Sequence, residues 1–219
     1  SGCFVPRKIP TPGLEEFENK NIFYSVKKRS DFEGKKILIA GGGDSALDYV
    51  MGFHQIASDI TLIHRRKEFK AVQDSVNKVM DLVDKKEINF NMGTIKKMTD
   101  NGKGQVDIML DDETVINDVD AIFPFFGLKI ELGPIAEWGL NLENNLIAVN
   151  TENFETSVPR IFAVGDICTY PGKLKLILSG FHEAALAAKK MFEYCHDDKK
   201  YVFRYTTSSK DIQEKLGVK

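Results

Sequence analysis

Six consecutive residues, Gly41-Gly42-Gly43-Asp44-Ser45-Ala46, have the types and spacing of a phosphate cradle. In the pattern G-x-G-x-x-A the first glycine makes a tight turn and the second lets the main chain approach a pyrophosphate. The small last residue keeps the following helix close to the preceding strand. Unpaired N–H groups and the positive end of the helix dipole then face the phosphates. The same glycine-rich turn also occurs without any ligand, so the surrounding elements must decide. A second constellation, His64-Arg65-Arg66, begins 64 − 41 = 23 residues after the first glycine. An Asp or Glu at this strand end, about 20 residues on, would accept a ribose 2′-hydroxyl and select NAD. Two guanidiniums stand there instead, and planar Arg forks make charge-assisted bidentate bonds to a 2′-phosphate. This favours NADP over NAD; the competing reading is an ordinary solvated basic loop.

The cradle needs a strand before it and a helix after it. Lys35-Lys36-Ile37-Leu38-Ile39-Ala40 is a short apolar run entered after Gly34, the pattern of a buried parallel strand. From Asp44 or Ser45, either a good N-cap, Leu47, Val50, Met51 and His54 follow the spacing of a helix packed on a sheet. A strand over Asp59 to His64 completes a βαβ unit of about 30 residues, and such crossovers are right-handed. Phe69, Val72, Val76, Val79 and Val83 fall on one further helical face, and Ile88 to Phe90 reads as a strand. The period then changes to two. Thr94 to Thr99, a turn at Asn101-Gly102, the alternation Val106/Ile108/Leu110, a turn at Asp111-Asp112 and Val115-Ile116 predict a β-meander. It leads to a strand near Val119 to Phe125. Ile161-Phe162-Ala163-Val164 predicts another short buried strand ending at Gly165-Asp166, and the alanine-rich run from Leu176 to Tyr194 predicts a helix. Pro6, Pro10, Pro12 and Gly13 make the opening stretch an extended connector.

With 219 residues, 42% apolar and 28% charged, the chain can bury a core and has the balance of a soluble globular protein. Its 30 basic and 32 acidic residues leave a formal charge of −2, which gives no electrostatic reason to expect nucleic acid as a partner. The longest stretch without Asp, Glu, Lys or Arg, Tyr49 to Ser58, has ten residues, too few to span a bilayer. No basic start followed by an apolar run marks a signal peptide. The chain opens on Ser1 rather than Met, as a processed chain or a piece of a longer one does. Cys3, Cys168 and Cys195 lie too far apart for a Cys-x-x-Cys redox or zinc site, and their number is odd, so neither a disulfide framework nor a metal site is expected. A reducing cytoplasm is the expected compartment.

The cradle followed by His64-Arg65-Arg66 resembles the NADPH-binding domain of thioredoxin reductase and its relatives. Ile161 to Tyr170, then Gly172-Lys173, Lys175-Leu176-Ile177, Gly180-Phe181 and Glu183-Ala184, is similar to the thioredoxin-reductase-like ferredoxin–NADP reductases. So is Phe4-Val5-Pro6-Arg7-Lys8 at the start. The resemblance covers essentially the whole chain. It implies an α/β fold: a Rossmann-like three-layer ββα NAD(P)-binding domain with a parallel sheet and a β-meander, plus the C-terminal half of a split FAD-binding domain. Residues 1–9 would end the first FAD half and form a hinge, 10–125 bind NADP, 126–200 form the second FAD half, and 201–219 cover the flavin. The family's own dinucleotide fingerprint for FAD has no counterpart before Ser1, so the resemblance implies that the N-terminal FAD half-domain is lacking.

The resemblance also assigns roles. Gly165 and Asp166 would hold the flavin's ribityl-phosphate arm, Phe4 would lie against FAD, and Lys175, Leu176 and Ile177 would belong to the cofactor-binding run. Tyr205 would be an aromatic lid on the isoalloxazine and Thr207 a polar contact, with Thr206 in the same cofactor-binding tail; on its own Tyr205 reads as an exposed tail tyrosine. Lys70 stands where the family often carries a third Arg on the 2′-phosphate, and His182 replaces a usual glycine near the flavin. Thioredoxin reductase's Cys-x-x-Cys is absent, since the matching stretch reads Phe23-Tyr24-Ser25-Val26-Lys27-Lys28. Cys168 beside Gly165-Asp166 reads as packing rather than as a redox thiol. The implied activity is hydride transfer from NADPH to FAD and electron transfer on to ferredoxin or a flavodoxin-like carrier, or the reverse. The full-length protein would be a homodimer. No side chain is expected as acid, base or nucleophile, because the cofactors carry the chemistry. A flavin reductase with another acceptor, and a non-catalytic NADP-binding module that holds FAD weakly, remain as alternatives.

Overall fold

In the computed structural model, which describes residues 3–196, 198 and 209–217, the chain forms two compact units. One spans Phe4–Lys129; the other joins the N-terminal residues up to Cys3 to the chain from Ile130 onward. Within the first, β1 (Phe4–Pro6) is followed by two short 3₁₀ turns and by β2 (Lys36–Ala40), α1 (Asp44–Phe53) and β3 (Asp59–His64). Then come α2 (Gln73–Asp84), β4 (Asn89–Met92), the strands β5 (Ile95–Asp100), β6 (Val106–Leu110) and β7 (Val115–Val119), and β8 (Ala121–Pro124). The strand β9 (Leu128–Ile130) pairs with β1.

β4, β3, β2 and β8 form, in that order, an all-parallel sheet. Its strands alternate between two buried faces, which is why they read as continuous apolar runs. Ile37 and Ile39 pack with Leu47, Val50 and Phe53 of α1 and Val79 of α2. Leu38 and Ala40 turn the other way, toward Ile95, Met98, Ile108 and Leu110 of the antiparallel β5-β6-β7 meander. Helices, parallel sheet and meander are therefore the three layers expected. The helical layer carries a cluster of rings, with Phe53 stacked on Phe123 at 5.4 Å between centroids and Tyr49 edge-on to Phe125 at 4.4 Å. Offset and edge-on pairs of this kind add about 0.5–1.5 kcal/mol beyond their burial. The face foreseen from Phe69 to Val83 is shorter than its pattern: α2 starts at Gln73, and Val72 is 63% exposed.

The second unit is built differently. β10 (Leu142–Glu143), β11 (Leu146–Ala148) and β12 (Cys168–Thr169) make a small mixed sheet over a core of Cys3, Leu132, Leu140, Ile147, Ala163 and Cys168. The 19-residue α3 (Ile177–Cys195) follows, and α4 (Lys210–Lys215) closes the described chain. Ala184, Ala185, Ala187 and Ala188 favour α3 intrinsically, yet only Glu183 and Ala187 are buried on it. The strand expected over Ile161–Val164 is not one. That segment runs extended with a single bridge, Phe162 to Glu155, and the Ala163 N–H donates to the Phe154 carbonyl at 3.1 Å. An apolar run becomes a strand only where a neighbour supplies a ladder, and here the ladder forms one step later, at Cys168-Thr169. Among the described residues no helix is long and apolar enough to cross a membrane.

Candidate functional site

Beyond the carboxyl ends of β2, β3 and β8 lies a cleft of about 810 Å³. Because β3 and β4 lie to one side of β2 and β8 to the other, the cleft sits where the strand order reverses, the place where open α/β sheets bind ligands. All three glycines of the cradle line it, and each is glycine for its own reason. Gly41 has a φ of 154°, and a Cβ there would come within 2.7 Å of the Phe125 carbonyl oxygen. At Gly42 a Cβ would fall 2.4 Å from the His64 ring. Gly43 has an ordinary φ of −102°, and the nearest atom to a Cβ is the Lys70 carbonyl oxygen at 3.7 Å. Neither backbone nor neighbours exclude a side chain at Gly43; its absence leaves main chain open to a close-lying group, as a pyrophosphate requires.

The three residues after the glycines divide. Ala46 is fully buried against the Gly41 turn and keeps α1 close to β2. Ser45 is exposed at the helix start. The expected N-cap at Asp44 or Ser45 is corrected: Gly43 occupies that position, extended at φ −102° and ψ 174°, and no side chain caps the helix. Asp44 is already helical, and its carboxylate instead accepts the Val72 N–H at 2.8 Å.

The basic loop folds back over the cradle. The His64 ring covers Gly42, lies within 3.2 Å of the Glu68 carbonyl oxygen through Nε2, and stacks on Phe69 at 5.3 Å. Lys70 donates its N–H to the Gly42 carbonyl at 2.7 Å. His64, Arg65, Arg66 and Lys70 thus line the same cleft as Gly41, Gly42 and Gly43. Arg65, Arg66 and Lys70 are exposed, and their side chains have no ion-pair partner among the described residues. Arg7, Thr94, Phe125 and Phe126 also line the cleft and were missed from sequence. Arg7 is carried there by its backbone, whose N–H donates to the Gly127 carbonyl at 3.0 Å, a link with no local signal.

The remaining predicted residues lie elsewhere. Phe4 belongs to β1 of the first unit and is half-buried. In the second unit Gly165 opens a 3₁₀ turn with φ 77°, Asp166 is exposed, and Lys175, Leu176 and Ile177 are exposed at the start of α3. The first turn of α3 packs close, since a Cβ on Gly180 would meet the Gly165 Cα at 3.5 Å. Tyr205, Thr206 and Thr207 lie outside the described residues, and His182 is exposed on α3.

Sequence reading also missed what holds the Gly165 turn. Glu183, fully buried, accepts the Gly165 N–H at 2.6 Å and the Tyr170 hydroxyl at 2.8 Å, and it pairs with the buried Lys173. Burial pushes its carboxyl up, but Lys173, Gly165 and Tyr170 outweigh that and hold it below the usual range. Burial likewise opposes the Lys173 charge, and Glu183 more than restores it, so the ammonium sits above its ordinary value. Cys168 lies 3.6 Å from both partners, and burial pushes its thiol up to about 11. That fits packing, not a reactive thiolate. A lone Glu among the small residues of an alanine-rich helix was the available signal.

The family described as pyridine nucleotide-disulphide oxidoreductase matches residues 1–188. Among curated proteins, the ferredoxin–NADP reductase of Parvibaculum lavamentivorans is 53% identical over 99% of this chain, and that of Nitrobacter winogradskyi is 51% identical over 99%. The chain spans 64% of the length of each. Among solved structures, Lactococcus lactis thioredoxin reductase matches with a TM-score of 0.71 at 24% identity, over 89% of this chain and 64% of that one. T. acidophilum thioredoxin reductase matches with a TM-score of 0.69 at 20% identity, over 88% and 63%. At such identities these two structures show a shared fold.

Proposed function

The chain belongs to the pyridine nucleotide-disulphide oxidoreductase family, and from that premise we propose that it is the coenzyme-binding part of a ferredoxin–NADP reductase. One observation carries the proposal: an open glycine turn and a pair of arginines with no ion-pair partner among the described residues share one cleft at the switch point of a parallel sheet. Gly43 would admit the pyrophosphate, and α1 would present its N-terminus to it. Arg65 and Arg66, with Lys70, would hold the 2′-phosphate. The residues 10–125 would form the NADP domain, with 1–9 as hinge.

The second unit would complete an FAD site across residues 126–200. Gly165 supports this, because its turn leaves open space where a Cβ would stand, and Asp166 supplies an exposed carboxylate for a sugar hydroxyl. The exposed Leu176, Ile177 and Leu178 offer an apolar surface to an aromatic ring system. FAD, when bound, takes up two electrons from the nicotinamide and releases them singly. The chain's own residues bind and orient; none is required to move a proton. Ferredoxin, or a flavodoxin-like carrier, would be the electron partner, in a cytoplasmic homodimer with 201–219 over the flavin.

Equilibrium titration with NADPH and NADH tests the carrying observation. The unaltered protein should prefer NADPH, and Arg65→Ala with Arg66→Ala should weaken NADPH about 10- to 100-fold, as expected for lost bonds to a charged group, and leave NADH unchanged. Equal affinity for both coenzymes would sink the proposal. Reduction of ferredoxin but not of thioredoxin by the full-length holoenzyme would establish the acceptor, and dependence on thioredoxin would overturn it.

A further inference from the structure

Asp44 poses an electrostatic puzzle. It stands in the first turn of α1, beside a cradle suited to an anionic diphosphate, and a carboxylate there repels such a ligand. Its favourable interaction with the helix dipole is the same one the phosphates would use. An acid in that place must be doing something else, and its carboxylate is engaged: Oδ1 accepts the N–H of Val72, 28 residues on, at 2.8 Å.

We propose that Asp44 sets coenzyme specificity without touching the coenzyme, by holding the arginine-bearing loop against the glycine turn. The inference rests on the NADP reading above. Residues 64–72 leave β3, cross the mouth of the cleft and enter α2, and three anchors tie them down. His64 covers Gly42 at the start, and Lys70 donates to the Gly42 carbonyl near the end. Asp44 takes Val72, the residue that leads into α2. Phe69 and Ala71 of this loop pack against the helix-side core, but Val72 itself is 63% exposed. Beyond Ala71, the Asp44 hydrogen bond rather than burial of Val72 fixes the end of the loop.

Arg65, Arg66 and Lys70 project from between the anchors as long, exposed side chains. Their backbone is thus the only part of them that the fold positions. Pre-organised charges bind a phosphate more tightly than mobile ones, because less freedom is lost on binding. The 2′-phosphate is the one group that NADPH has and NADH lacks. Loosening the loop must therefore appear as a loss of preference between coenzymes, whereas any effect on the shared pyrophosphate moves both together. Asp44 is a positioning residue in this scheme.

Three variants of the protein, each titrated with NADPH and NADH, test the proposal. Asp44→Ala should lower the NADPH-over-NADH ratio about fivefold, the scale of one lost capping-type hydrogen bond. Asp44→Asn, whose amide oxygen can accept the same N–H, should keep the ratio while binding both coenzymes somewhat more tightly. Val72→Pro removes the donor at a φ of −59° that the ring can adopt, and its Cδ, standing where the hydrogen was, also pushes the Asp44 carboxylate away. It should reproduce the loss seen in Asp44→Ala and remain informative should Asp44→Ala fold poorly. An unchanged ratio in Val72→Pro or in a folded Asp44→Ala overturns the proposal, as does an equal loss in Asp44→Asn. Absence of any preference in the unaltered protein overturns the NADP reading itself and takes this inference with it.

Discussion

Gly41 is required by its own backbone and Gly42 by a neighbour, whereas nothing in the fold itself excludes a side chain at Gly43. Gly42 is the position the G-x-G-x-x-A pattern leaves free, yet the His64 ring leaves no room for a methyl group there. Gly42→Ala should therefore destabilise the protein by about 1–3 kcal/mol through overpacking. Adding His64→Ala should recover most of that loss, since the three atoms nearest such a methyl all belong to the His64 ring; thermal melts of the two singles and the double measure the coupling. The cysteines offer a second check at this scale. Cys195 is exposed, whereas Cys3 and Cys168 are buried and the Cys168 thiol is raised to about 11. A thiol reagent at pH 8 should label Cys195 promptly and the other two only on unfolding; fast labelling of Cys168 would contradict its burial.

At the scale of elements, Glu183 and Lys173 tie α3 to the turn that precedes β12. Removing one member of a buried pair leaves the other charge unpaired, so Glu183→Ala should cost about 3–5 kcal/mol in chemical denaturation. The pH dependence has a definite sign on each side. The Glu183 carboxyl is held below its ordinary 4.5, so its contribution is present above that value and lost as pH falls through the lower, folded one. The Lys173 ammonium is held above its ordinary 10.5, so its contribution is present below that value and lost as pH rises through the higher one. The stability difference between the unaltered protein and Glu183→Ala should be flat between the two and shrink at both extremes. A difference confined to one extreme would show that the pair does not act as drawn.

For the molecule as a whole, a formal charge of −2 offers an anionic coenzyme no general attraction. In the proposed reading attraction comes from the basic side chains lining the cleft, Arg65, Arg66 and Lys70 with Arg7 and Lys8, which are exposed and therefore open to screening. Raising salt from about 50 to 500 mM shortens the screening length severalfold. NADPH affinity should fall with it more steeply than NADH affinity, because only NADPH presents the extra phosphate to these cations. Parallel slopes in titrations of the two coenzymes would place the 2′-phosphate elsewhere.

The three-layer arrangement was legible because side-chain period is a local property. Ile37 and Ile39 against Leu38 and Ala40, or Val106, Ile108 and Leu110, state which face is buried without reference to any partner. The glycine turn and His64-Arg65-Arg66 were legible for the same reason, as a spacing along one βαβ unit. Ile161–Val164 was misread because its apolar run says that it is buried and not that a ladder awaits it. The closure of His64 on Gly42, the hold of Asp44 on Val72 and the engagement of Glu183 with the Gly165 turn join residues 64 − 42 = 22, 28 and 18 positions apart. No local pattern carries them. The sequence by itself determined which residues turn inward and where the glycine turn falls; only the tertiary structure decided which polar group answers which, because a hydrogen bond depends on atoms that the fold brings together from distant parts of the chain.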